Sequence, residues 1–279
     1  MYIKCWGSRG SIPISGPEFT IYGGDTTCIE IRSESDDIII IDAGTGIRRL
    51  GTQLVKENRF NYHLIFTHAH WDHLMGFPFF KPIFMEQTEI IVYRCPFPEK
   101  YVESMIGKVM KPPNFPIKYS DLKARIRFRN GCPDSFMIGS MTIEPISISH
   151  PNSGCGYKFT ENGKKFVILT DNELGYIHPN GHTFASYREF VRDADLLFHD
   201  AEYTPDDYLA TKEWGHSVYL HALDLALQGN VRRLGLFHHN QERTDGEIDE
   251  MVRTCQDQIR SQHKDIDCFA VAADMTFTL

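Results

Sequence analysis

The chain predicts a single domain, residues 1–279, of two stacked β-sheets with helices on the outside. Three observations point there. Apolar runs of strand length alternate with segments of helical spacing through both halves of the chain. No linker, low-complexity tract or short-period repeat divides the halves. The chain is 279 residues long, 42% hydrophobic and 24% charged. At this size roughly 46,000 Å² of unfolded surface collapses to roughly 12,000 Å², enough for a full core.

Taken in order, strands are expected at Tyr2–Trp6, Thr27–Arg32 and Asp37–Ile41. The third holds the run Ile38-Ile39-Ile40-Ile41, apolar on both faces and so expected to be covered on both. Asp42-Ala-Gly-Thr-Gly46 breaks it, and Ile47, Leu50, Leu54 and Val55 then recur at helical spacing. His63–Phe66 and Glu89–Tyr93 are strands, followed by a helix through Tyr101, Val102, Met105 and Val109. Lys111-Pro-Pro-Asn-Phe-Pro116 can be neither helix nor central strand. For this loop a lid with Phe115 stacking on a ring and plain buried packing of Phe115 stay open. Lys123, Arg125, Arg127 and Arg129 alternate as one solvated strand face would. Further strands are expected at Met141–Ser149, Cys155–Phe159, Phe166–Thr170, Asp195–Phe198, Leu234–Phe237 and Cys268–Ala272. Helices are expected at Phe184–Val191, at Ser217–Leu227 with Gly229 ending it, and at Thr244–Ser261. In the last, Thr244 and Glu247 have capping-box spacing.

The net charge is −8, from 37 acidic and 29 basic residues. Binding a long nucleic acid by counterion release wants a basic surface, so nucleic acid is not expected as a partner. The seven cysteines are scattered and contain no C-x-x-C, which excludes a zinc knuckle or disulfide framework and fits a reducing cytoplasm. No stretch approaches the roughly 20 apolar residues of a membrane helix. Met1–Pro13 has no apolar core of a signal peptide, so none is expected.

The chemistry is concentrated in Thr67-His68-Ala69-His70-Trp71-Asp72-His73, directly after a strand. In an extended exit, residues two apart point the same way, so His68 and His70 can converge on one ion. Asp72 and His73 open the next element and can face a neighbouring ion. Imidazole nitrogen and carboxylate oxygen suit zinc, manganese or iron. A solvated polar turn is the bland alternative; the flanks Ile65-Phe66 and Leu74-Met75 argue against it.

This H-x-H-x-D-H run resembles the signature of the metallo-β-lactamase fold, and Ile40-Ile-Asp-Ala-Gly-Thr45 resembles that superfamily's upstream strand–turn–helix motif. The superfamily's later ligands sit at strand ends. Here His150 follows Ile146–Ser149, Asp171 follows Val167–Thr170 and His238 follows Leu234–Phe237. The resemblance implies an α+β fold, a four-layer αββα sandwich, and a site for two divalent ions, zinc or manganese with iron also suited. It implies that His68, His70 and His150 hold one ion, that Asp72, His73 and His238 hold the other, and that Asp171 bridges both. Seven such donors suffice for two ions about 3.5–4 Å apart that bring the pKa of bound water toward about 7. For Asp42, orienting a ligand and capping a helix are both open. His239 competes with His238, which is favoured as nearer the strand end. His73 in place of arginine argues against β-lactam hydrolysis, and His70 in place of glutamate argues against redox chemistry. Leu169-Thr-Asp-Asn172 keeps the bridging aspartate but departs from the usual T-G-D turn.

Phe198-His-Asp-Ala-Glu-Tyr203 and Gly215-His-Ser217 are similar to paired motifs in the superfamily's phosphodiesterase arm, which includes ribonuclease Z and the cyclic-nucleotide and cyclic-phosphoribosyl phosphodiesterases. The resemblance implies that His216 protonates the leaving alkoxide and that Asp200 raises its pKa and fixes its tautomer. It places Asp72 beside them as catalytic. The alternative for His216 is a helix-terminal residue with Ser217 as the cap. His199 is expected to be structural, and His63, His178, His182, His221 and His263 carry no assigned role. Gly7–Pro13 and Tyr22–Cys28 also look like this arm. A backbone contact to phosphate and a plain hairpin beside the site are both open. No basic, glycine-rich arm for gripping tRNA and no C-x-x-C are present. By elimination the expected substrate is a small phosphodiester, a cyclic nucleotide. The alternatives are a lactone or thioester hydrolase, ribonuclease Z-like RNA processing, and a non-catalytic metal-binding module. A homodimer is compatible with the resemblance, and no membrane partner is expected.

Overall fold

Strand β1 (Tyr2–Gly7) opens the chain, followed by β2 (Cys28–Arg32), β3 (Ile38–Ile41), α1 (Ile47–Lys56), β4 (Asn61–Ile65), β5 (Glu89–Tyr93), α2 (Glu99–Val109) and β6 (Arg125–Arg129). Next come β7 (Phe136–Ile138), β8 (Met141–Ser147), β9 (Cys155–Glu161), β10 (Lys164–Leu169), α3 (Phe184–Phe190) and β11 (Leu196–Asp200). The chain ends with α4 (Pro205–Thr211), α5 (Tyr219–Gln228), β12 (Arg233–Phe237), α6 (Asp245–Ser261), β13 (Asp267–Ala270) and β14 (Thr276–Thr278). This is a computed structural model that describes residues 1–93, 99–113, 115–129 and 133–279. Cys95, Asn114 and Cys132 lie outside the described residues, as do the side chains of Tyr101 and Val102.

The strands form two seven-stranded sheets, ordered β14-β1-β2-β3-β4-β5-β6 and β13-β12-β11-β10-β9-β8-β7. Strands β3 to β6 run parallel to one another, as do β10 to β13. The isoleucine run shows why the layers stack as they do. Ile39 and Ile41 face the second sheet and join Phe159, Phe166, Ile168 and Phe198 in the central core. Ile38 and Ile40 face outward onto Ile47, Leu50 and Leu54 of α1 and Ile106 of α2. On the far side, Val167, Leu197 and Leu236 meet Tyr187 of α3, Leu223 of α5 and Ile248 of α6. The αββα order follows from alternate side chains of one strand entering different cores.

The expected strands and helices recur with ends shifted by a few residues, and Arg125, Arg127 and Arg129 are exposed along β6 as expected. The Thr244–Glu247 capping box is present in full. Ser217 is a correction: α5 begins after Val218 without a side-chain cap. Ser217 Oγ instead donates to the Asn172 carbonyl at 2.6 Å and accepts from the Leu174 N–H at 3.0 Å, tying the exit of β10 to this loop. Strands β7 and β14, of three residues each, and α4 were not expected, being too short to show a period.

Phe198 is fully buried between the sheets, with ring centroids 5.1 Å from Phe166, 5.7 Å from Phe237 and 5.4 Å from Phe277. Phe198→Ala is expected to cost about 3–5 kcal/mol. The loss should appear as a lower urea midpoint at unchanged m value.

Candidate metal centre

The parallel strands deliver their carboxyl ends to one rim. Asp42 directly follows β3, His68 follows β4, Asp171 follows β10, Asp200 ends β11 and His238 directly follows β12. Asp42, Asp171 and His238 all have left-handed backbones, with φ of 60°, 53° and 59°. Such conformations are uncommon outside glycine and concentrate at functional sites. Here each ends a buried strand with a sharp turn.

His68, His70, His150 and Asp171 bring one donor atom each within 4.8 Å of one another, and so do Asp72, His73, Asp171 and His238. All seven residues expected to hold metal are therefore in one place, and Asp171 is common to both groups. Its carboxylate lies 3.5 Å from His68 Nε2, 3.3 Å from His73 Nε2 and 3.3 Å from His238 Nε2. His70 Nδ1 stands 3.0 Å from His150 Nε2. The set fits divalent cations on two counts. His68 Nε2 and His73 Nε2 are buried with no hydrogen-bond partner, as lone pairs aimed at an ion would be. Burial, with His73 beside it, also keeps His68 well below the usual histidine range, and burial brings His150 to about 3, so both rings present neutral nitrogen. Burial would raise the Asp171 carboxyl, but His238, His73 and His68 hold it well below the usual carboxylate range. Positive charge belongs between these carboxylates.

The far ring nitrogens are fixed from behind. Asp42 accepts from His73 Nδ1 at 2.7 Å and from the Thr67 N–H and Oγ1 at 2.8 and 2.7 Å. It therefore orients a ligand and caps no helix, the N-cap of α1 being Gly46. Glu202 accepts from His238 Nδ1 at 3.0 Å, and the Gly215 carbonyl accepts from His150 Nδ1 at 2.9 Å. Such partners set the tautomer and aim Nε2 at the ion. His239 is turned away, its Nε2 donating to the Val271 carbonyl at 2.8 Å. The Gly7–Pro13 segment braces the ligands: the Ser11 N–H donates to Asp72 at 2.9 Å, and a Cβ on Gly10 would come within 2.4 Å of the His238 ring.

His216 stands beside the cluster with its ring stacked on His238, 4.9 Å between centroids. Its Nδ1 donates to Asp200 at 2.7 Å, with Glu202 at 3.3 Å. Burial would lower its pKa, but Glu202 and Asp200 raise it to about 9. Asp200, Glu202, His216 and His238 form a third close group of donors. Its four carboxylate oxygens each accept a hydrogen bond, from the Ser217 N–H, His216 Nδ1, His238 Nδ1 and the Asn240 amide. His199 is structural, its Nδ1 bonded to the Asp200 carbonyl at 2.7 Å.

Two carboxylates had no role assigned from sequence. Glu202 joins His216 to His238 as above and stands two residues after Asp200. Glu173, two residues after Asp171, accepts from His178 Nε2 and from the Glu213 and Gly215 N–H groups, each at 2.8 Å. It also takes the Tyr208 hydroxyl. It thereby clamps the loop that presents Gly215 and His216, and it gives His178 the role its sequence context did not.

Reconstitution with zinc or manganese is expected to load two equivalents, and EDTA to lower Tm because the ions bind only the folded site. Gly215 has φ of 97°, and a Cβ there would come within 2.1 Å of His150 Nδ1. Gly215→Ala should lose at least one equivalent by elemental analysis. Gly163→Ala, also at positive φ but in open space, should keep both. Full loading of both variants would show that the His150 cradle is dispensable.

A family model described as a beta-lactamase superfamily domain matches residues 38–239. The ribonuclease Z of Streptococcus agalactiae serotype Ia is 24% identical over 253 residues, spanning 75% of this chain and 81% of that protein. Among solved structures, the metallo-beta-lactamase fold protein YhfI from Bacillus subtilis superposes with a TM-score of 0.70 at 16% identity, over 99% of this chain and 98% of its own. A diphosphatase from the PhnP family gives a TM-score of 0.70 at 16% identity, over 100% and 97%. These likenesses bear out the αββα fold. The similarity to a ribonuclease Z leaves the charge-based exclusion of nucleic acid without support, because whole-chain charge does not report the field at one cleft. Matched over well more than half its length, the chain belongs to the beta-lactamase superfamily domain family, with the metallo-β-lactamase fold.

Proposed function

We propose that this hydrolase cleaves phosphodiesters at a centre of two divalent ions. The observation that carries the reading is His216, its Nδ1 within 3.3 Å of both Asp200 and Glu202, beside seven convergent nitrogen and oxygen donors. His68, His70 and His150 would hold one ion, Asp72, His73 and His238 the other, and Asp171 both. Bound there, the ions would supply Lewis acidity toward a phosphoryl oxygen and a water ionised near neutral pH. The chain's own residues do the rest. Asp72 is fixed by the Ser11 N–H at 2.9 Å. His216 keeps its proton on the face away from Asp200, ready for the departing alkoxide. Asp200 is held by the Ser217 N–H at 2.9 Å, so the imidazole cannot rotate away. Carbonyl substrates such as lactones and thioesters need less help at the leaving group, which is why the His216 relay favours a diester.

Within that class a small cyclic nucleotide is the proposed substrate. RNA is the second reading, supported by the similarity to a ribonuclease Z. The five cysteines among the described residues are all free and buried, which supports a reducing compartment such as the cytoplasm. Among the described residues no helix is long and apolar enough to cross a membrane. Zinc or manganese are the proposed ions and a homodimer the proposed assembly.

A general acid matters only when the leaving group is poor. His216→Ala is therefore expected to keep its metal, to lose about 10²–10⁴ in kcat on a cyclic nucleotide, and to lose about tenfold or less on bis-p-nitrophenyl phosphate. Equal losses on both would remove His216 as the acid. The wild type should prefer bis-p-nitrophenyl phosphate to p-nitrophenyl acetate; the reverse preference would move the reading to carboxyl derivatives.

A further inference from the structure

Beside the metal cluster lies a groove of about 480 Å³, and its wall is the ligand-bearing turn itself. Ala69, between His68 and His70, and Trp71, between His70 and Asp72, both line it. Trp71 is 72% exposed and Phe79, on the same groove, 57% exposed. Large rings left this open beside a buried polar centre are not explained by packing. Phe115 lines the groove and meets Phe79 edge to face, with centroids 5.7 Å apart. Among the described residues the groove's charged lining is Lys108 and Lys111, both cationic, in a chain of net charge −8. Neither has an ion-pair partner among the described residues. The groove thus offers ring faces and two ammonium groups along the turn that carries His68, His70 and Asp72, although none of these three lines it.

We infer that this groove receives the base of a nucleotide substrate, stacked against Trp71, Phe79 and Phe115, with Lys108 and Lys111 on the lining where a second phosphate, if the substrate carries one, would be met. The inference rests on the phosphodiesterase reading and adds to it the place where the base of a nucleotide substrate is held. A planar ring between aromatic side chains gains affinity whatever its sequence identity, because every base has a π-face. Ammonium groups at the groove supply the charge complementarity that a second phosphate would use. The same chemistry is met in a free mononucleotide and at a nucleic-acid chain end, and these differ in whether a second phosphate is present.

The test is binding by calorimetry to the metal-loaded full chain, with AMP, CMP and ribose 5-phosphate as probes. AMP and CMP are expected to bind about tenfold or more tightly than ribose 5-phosphate. Trp71→Ala and, separately, Phe115→Ala should erase most of that preference while leaving ribose 5-phosphate affinity unchanged. The dinucleotide pApA separates the sources. A further gain over AMP that Lys108→Ala or Lys111→Ala removes assigns the groove to a chain end, and no gain assigns it to a mononucleotide. Equal binding of AMP and ribose 5-phosphate by the wild type, or an unchanged preference in both aromatic variants, would overturn the groove assignment. That failure is separable from failure of the phosphodiesterase reading. Base preference in an enzyme that hydrolyses no diester would overturn the reaction and leave the groove.

Discussion

The centre is organised around one buried carboxylate. Asp171 is 1% exposed and has imidazole nitrogens of His68, His73 and His238 within 3.5 Å. A carboxylate so placed is stable only if positive charge surrounds it, and stripping one partner from a buried ion pair costs about 3–5 kcal/mol. The partners come from both sheets. His68 and His73 follow β4 of the first sheet, and Asp171 and His238 follow β10 and β12 of the second. The electrostatic arrangement therefore exists only while the two sheets keep their register. The phenylalanines and isoleucines of the central core hold that register, so apolar packing and polar chemistry are one constraint seen from two sides.

Orientation is the second demand. An imidazole rotates about two bonds, and a misaimed nitrogen is worth little to an ion. Asp42, Glu202 and the Gly215 carbonyl each take the rear nitrogen of one ring, which removes that freedom. Those groups are themselves tied. Asp42 takes both donors of Thr67, Glu202 takes the Asn240 amide at 3.0 Å, and Glu173 clamps the Gly215 loop. Glycine is needed where ring and backbone touch, at Gly10 against His238 and at Gly215 against His150, because any Cβ would occupy the ring's place.

Legibility in the sequence followed the range of the interaction. The isoleucine run, the His68–His73 segment and the Thr244–Glu247 capping box are local patterns, and each forms the element or grouping its spacing indicated. His150, Asp171 and His238 came from the family resemblance, which puts ligands at strand ends, and the structure brings all three to the cluster. Glu173 and Glu202 were not readable, since their meaning lies in partners 40 and 36 residues away, Glu213 and His238. Ser217 looked like a cap because serine before a helix often is one. Its hydroxyl went instead to Asn172 and Leu174, backbone groups that no local reading would bring near.

Net charge says little about the site when it is read over the whole chain. At physiological ionic strength fields fade over about 8 Å, so a distant carboxylate contributes little at the mouth of the site. On the proposed reading, a phosphate would meet His216 at the centre and Lys108 and Lys111 at the groove. The carboxylates closest to His216, Asp200 and Glu202, are buried behind it and accept from His216 Nδ1 and His238 Nδ1. A chain with eight excess negative charges can therefore present an approaching anion with a locally positive path.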